Sequence, residues 1–149
     1  MYKIMLGNLN RSIDKGYYLQ AVFIEYAMLE DRANSIIRVL MGKQVLDALK
    51  ERNAGLDKKI CKIKNFVNNN SNDAWIKKFL NNNLLDSIIA WKDERNKIVH
   101  ALMEQFSSQD SLQGIAEEGK NLAREFKDVA NKVKNHEMKV AKRKATKKK

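Results

Sequence analysis

The stretch WKDERNKIVHAL, residues 91–102, reads as a helix but carries Arg95, Asn96 and His100 among its apolar residues. At about 100° per residue, Leu84, Ile88, Trp91, Ile98, Val99 and Leu102 share one arc, and Arg95 falls near its centre. Leu85, Ile89, Asn96, His100 and Met103 share a second arc about 100° away. A guanidinium facing the core stays charged, so it requires a carboxylate, a phosphate or a wet cleft. Asn96 and His100 are one turn apart and stack on one side of the helix. Arg95 and His100 lie about 140° apart and do not meet within an undistorted helix unless the arginine arm reaches round. Two chains related by a two-fold axis would let both pairs line one shared groove.

The same spacing also fits a structural arginine–acid pair beside an ordinary interfacial histidine. Glu25, Glu30 and Asp31 are candidate partners for the guanidinium, with Glu30 and Asp31 as possible supporting acids of a site. His136 sits in a charged stretch and reads as exposed. Two histidines, no HExxH and no Cys/His cluster give no metal-ligating set, and no cofactor is expected. Gly42-Lys43 lacks the spaced glycines of a phosphate-cradling loop. Cys61 cannot form an intrachain disulfide; it reads as a packed thiol in a reducing compartment, and a cytoplasmic location is expected.

The elements that must position these residues are helices. Proline is absent, glycine is sparse, and apolar residues recur at spacings of three and four while strand-like alternation is not sustained. The chain therefore reads as all-α: a helical bundle of four principal helices plus a short helix, forming one domain over residues 1–138. A first long helix is expected from about Ser12 to Met41, ended by Gly42, with Tyr18, Val22, Tyr26, Leu29, Ala33, Ile36 and Leu40 on its main stripe. Phe23, Ile24, Ala27, Met28 and Val39 lie off that stripe, and this all-round apolar character suggests burial against a partner subunit. A second helix is expected from about Leu56 to Val67. After NNNSND, Ser71, Asn72 or Asp73 would cap a short helix carrying Trp75, Ile76, Phe79 and Leu80. The helix bearing Arg95 runs from about Leu84 to Gln105. A turn at SSQDS, with Ser108 or Asp110 as cap, leads to a final helix using Leu112, Ile115, Leu122, Phe126, Val129 and Val133.

The formal charge of +11 is unevenly spread. Residues 139–149, KVAKRKATKKK, hold seven basic groups and no acid; without them 22 basic and 18 acidic residues leave a body of only +4. Such a like-charged tail is expected to be solvated and disordered. It would add salt-dependent, sequence-blind affinity for RNA or DNA phosphates or for anionic surfaces. No apolar run approaches the roughly 20 residues of a membrane span, and no leader precedes a cleavage site, so no membrane partner is expected.

RNKIVH, Arg95 to His100, resembles the Arg-polar…His signature of HEPN domains, at its shortest spacing and with Asn in the polar position. The setting is similar too: an all-α chain of this length, the motif on a late helix, a long oily early helix containing YAMLEDRANSI, and a lysine-rich end. Many HEPN proteins are metal-independent ribonucleases that act as homodimers, often as toxins or in defence against phages. The resemblance implies a composite site in which His100 handles protons, Arg95 holds the scissile phosphate and Asn96 orients the site. These roles are chemically coherent, since histidine titrates near neutral pH and arginine presents a forked, permanent cation to phosphate oxygens. Other members of the family do not cut RNA; they bind nucleotides or an antitoxin, or serve a nucleotidyltransferase partner.

Overall fold

The computed structural model describes residues 1–104 and 109–148, and among them all regular structure is helical. The helices are α1 (Tyr2–Asp14), α2 (Tyr18–Met41), α3 (Lys43–Glu51), α4 (Leu56–Asn69), α5 (Ala74–Phe79), α6 (Asn82–Met103) and α7 (Gln109–Thr146). The expected cap Ser108 lies outside the described residues, while Asp110 stands in the first turn of α7.

The expected helix from Ser12 to Met41 is in fact two. Gly16, at φ +72°, takes the left-handed conformation that closes α1. The Tyr17 amide donates to the Ser12 carbonyl at 2.7 Å and the Gly16 amide to the Ile13 carbonyl at 3.0 Å. These two bonds satisfy carbonyls that the helix end would otherwise leave open. Asn53, at φ +50°, ends α3 in the same manner, with Ala54 donating to Leu49 and Asn53 to Lys50. At the start of α5, Asp73 is the cap, its carboxylate accepting from the amides of Trp75 and Ile76. Asn81 caps α6 by accepting from the amide of Leu84.

Helix α2 is the central element, packed against α7, α1, α4, α3 and α6. One buried line along it is Val22, Leu29, Ala33 and Ile36, and a second holds Ala21, Glu25 and Met28. Of the residues off its main stripe, Met28 is buried and Ile24 and Val39 are half-buried within the one chain, whereas Ala27 is exposed, as are Leu19 and Phe23 at 41% and 50%. Every apolar position expected on the final helix, from Leu112 to Val133, is buried. Cys61, by contrast, is an exposed thiol on the outer side of α4, away from the line of Ile60, Ile63 and Val67 that enters the core.

The lysine-rich segment departs most from expectation. Helix α7 does not dissolve at residue 138 but continues to Thr146. Lys, Arg and Ala are strong helix formers, and neither Gly nor Pro interrupts them. Extending a formed helix needs no new nucleus, whereas each like-charge pair one turn apart costs only a few tenths of a kcal/mol.

Candidate functional site

Helix α6 enters the core through Leu84, Leu85, Ile88 and Trp91 and leaves it at Arg95. The Trp91 indole N–H donates to the Ile115 carbonyl at 2.9 Å, tying α6 to α7 just before the motif begins. Beyond Trp91, Ile98, Val99 and Leu102 are only half-buried, so the arc containing Arg95 lies at the edge of the core.

Arg95 is half-buried and turned towards α2. Its guanidinium carbon lies 4.7 Å from the centre of the Phe23 ring and 5.0 Å from that of Tyr26. Planar guanidinium stacks well on such faces, and the attraction is worth roughly 0.5–2 kcal/mol depending on solvent exclusion. Its Nη1 donates to the Asn96 side-chain oxygen at 2.9 Å, while its Nε is buried without a hydrogen-bond partner among the described residues. Burial lowers the pKa of the guanidinium, with Tyr26 opposing. The group still stays charged at any ordinary pH.

None of the three acids considered as partners reaches it. Glu30 accepts from the buried Lys59 ammonium at 2.7 Å, and Asp31 pairs with Arg32 next to it. Glu25 is wholly buried, and neither of its oxygens has a hydrogen-bond partner among the described residues. Burial, opposed only weakly by Lys120, pushes its pKa up to about 9. Glu25 is therefore a neutral carboxylic acid at pH 7, packed where α2, α6 and α7 meet. Arg95 accordingly keeps a cation with unused donor capacity at the edge of an apolar surface.

Asn96 is half-buried beside Arg95 and fixes the guanidinium's orientation. His100 is exposed, and its ring makes no hydrogen bond among the described residues. The structure thus joins Arg95 to Asn96 by a hydrogen bond, while His100, about 140° round the helix from Arg95, makes none with either. Beside this part of α6 runs a groove of about 460 Å³ lined by Gly16, Tyr17, Tyr18, Leu19, Gln20, Leu102 and Leu112. The exposed side chains of Leu19 and Phe23, one turn apart on α2, extend it towards the Arg95 guanidinium.

His136, expected to be free at the surface, is instead a half-buried anchor. Its Nε2 is 2.7 Å from Asp73 Oδ2, and its ring stacks on Trp75 at 4.1 Å and 6°. Burial alone would raise the Asp73 pKa, but the bonds from His136 and from the Ile76 and Trp75 amides outweigh it and hold the carboxyl below its usual range. Potential ligand atoms of Asp73, His136 and Glu137 lie within 4.8 Å of one another, a donor set suited to a divalent cation. Two of those atoms are already hydrogen-bonded to each other, and the cluster as it stands clamps α7 to the start of α5. Its 63-residue separation in sequence hides it from local patterning. Glu25 had a visible signal: it is the one acid flanked by Ala21, Val22, Met28 and Leu29 at helical spacings. Comparison of the chain with family models, curated proteins and solved structures gives no match.

Proposed function

We propose that the chain is a metal-independent endoribonuclease whose site is completed by a second copy, with Arg95, Asn96 and His100 from each protomer around one phosphodiester. The observation that carries this reading is Arg95. It is a half-buried cation that no carboxylate among the described residues neutralises, seated on Phe23 and Tyr26 and held by Asn96, with donors to spare. A phosphate is the ligand that best matches such a fork. The resemblance of RNKIVH to HEPN domains points the same way, and the exposed Leu19 and Phe23 supply apolar surface for the second copy.

In this scheme His100 accepts the proton of the RNA 2′-hydroxyl, and the 2′-oxygen attacks the adjacent phosphorus. The bond from phosphorus to the 5′-oxygen breaks, and the partner's His100 returns a proton to the leaving oxygen. The products are a 2′,3′-cyclic phosphate and a 5′-hydroxyl. Arg95 stabilises the negative charge that builds on the non-bridging oxygens. Positioned acid–base groups contribute about 10²–10⁴ in rate. Purified protein should cleave RNA in EDTA, His100→Ala should lose activity by about that factor, and a 2′-deoxy substitution at the scissile position should abolish cutting there. Cleavage that survives both changes would sink the proposal.

A second reading is a non-catalytic module of the same type that binds a nucleotide or an antitoxin. The exposed His100, whose ring makes no hydrogen bond among the described residues, favours it, since a catalytic histidine is usually held by a partner group. It expects ligand-dependent rises in melting temperature from a protein inert in every RNA assay.

A further inference from the structure

Resting on the nuclease reading, we propose that residues 139–148 are a preformed basic arm, helical as far as Thr146, that grips the phosphate backbone of long RNA, well away from the site of cleavage. Past the clamp of His136 on Asp73 and Trp75, the helix bears Lys139, Lys142, Arg143 and Lys144, and Lys147 and Lys148 follow in the turn at its end, all exposed and with no acid among them. The Thr146 hydroxyl donates to the Lys142 carbonyl at 2.7 Å, within the arm's own backbone. A clamped root and a continuous helix give these charges a fixed direction that a coil would lack.

Their distribution selects the partner. On an ideal helix the four cations within α7 cover an arc of about 200°. A helix that lies on a bilayer instead keeps a broad apolar face opposite its charges. Here the remaining arc offers only Met138, Ala141 and Ala145. Cations spread this widely suit phosphates that approach from several sides, as those of a nucleic acid chain do. Lys139 and Arg143 set positive charges about 6 Å apart along the axis.

Distance sets the length of that chain. The motif helix is fastened to α7 at Ile115, which precedes Lys139 by 24 residues, or about 36 Å of helix. At about 3.4 Å per nucleotide in a stacked strand, about 11 nucleotides cover that stretch of α7. The arm therefore favours long substrates without reading their sequence.

The test measures binding alone, with fully 2′-O-methylated RNA that lacks the attacking hydroxyl, so its outcome is separate from that of the cleavage assays. Three proteins are compared by fluorescence anisotropy over a range of salt: the full chain, the chain without residues 139–149, and Ala141→Pro, which keeps every charge but breaks the arm helix. For an RNA of about 40 nucleotides, deletion is expected to weaken binding about tenfold or more and to flatten the salt dependence. Ala141→Pro is expected to weaken it severalfold. The extra affinity of the long RNA over one of about 6 nucleotides should vanish in the deletion variant, and DNA of equal length should compete. Unchanged affinity and salt slope on deletion would overturn the arm as an RNA grip. Full affinity in Ala141→Pro would overturn its preformed geometry. Arm-dependent binding to vesicles of one part phosphatidylserine and three parts phosphatidylcholine, with arm-independent RNA binding, would assign the arm to membranes instead.

Discussion

At Arg95 the charge is kept and at Glu25 it is given up, because the two groups differ in proton affinity and in access to water. A guanidinium binds its proton too tightly to release it on burial, so it stays cationic and leans on aromatic faces. A carboxylate buried without a partner takes up a proton instead. The consequence for stability follows from linkage. Glu25 has a folded pKa of about 9 against an ordinary value of 4.5, so between these limits the folded state holds a proton that the unfolded chain has released. Its contribution is complete below the ordinary pKa and is lost as pH rises towards the folded one. Glu25→Gln removes this dependence. Its unfolding free energy relative to the parent should climb by about 1.4 kcal/mol per pH unit between about pH 5 and pH 8, as read by urea denaturation. A difference that stays level across that range would show Glu25 to be ionised or hydrated in the fold.

Helix α7 passes Glu25 closely, and the contact depends on one missing side chain. A Cβ at Gly119 would press on the Glu25 carboxyl and come within 2.7 Å of the Trp91 ring. In an exposed helix, Gly→Ala stabilises by up to about 1 kcal/mol. Here overpacking should reverse the sign, and Gly119→Ala should cost about 1–3 kcal/mol by chemical denaturation. A stabilised variant would mean that α7 sits further from α2 and α6. Several elements were legible beforehand: a cap among Ser71, Asn72 and Asp73, the asparagine-rich breaks on either side of α5, and the buried line of α7. Each rests on local chemistry, either a side-chain acceptor for free amides or a repeat of apolar residues. The division of α1 from α2 was not foreseen. Gly16 was visible, but only the pairing of Tyr17 with Ser12 shows it in the left-handed conformation that ends a helix.

For the molecule as a whole, the placement of Arg95 makes association the decisive property. The proposed site needs His100 from two copies, because within one protomer His100 lies about 140° round the helix from Arg95. Leu19 belongs to the exposed apolar surface and is neither of the rings that seat the guanidinium, so Leu19→Lys tests association with Phe23 and Tyr26 kept in place. Light scattering at micromolar concentration should show a dimer for the parent, and a shift towards monomer for Leu19→Lys with RNA cleavage falling in parallel. A monomeric parent that cleaves normally would refute the shared site. The sequence alone determined the helical class, the approximate ends of α4 and α6 and the oddity of an arginine on an apolar arc, because periodicity and capping act over a few residues. Where that arginine points, which carboxylate is buried without a partner, and how His136 meets Asp73 were decided only by tertiary packing. Those outcomes turn on which distant helices arrive at the same place, and no local pattern encodes that.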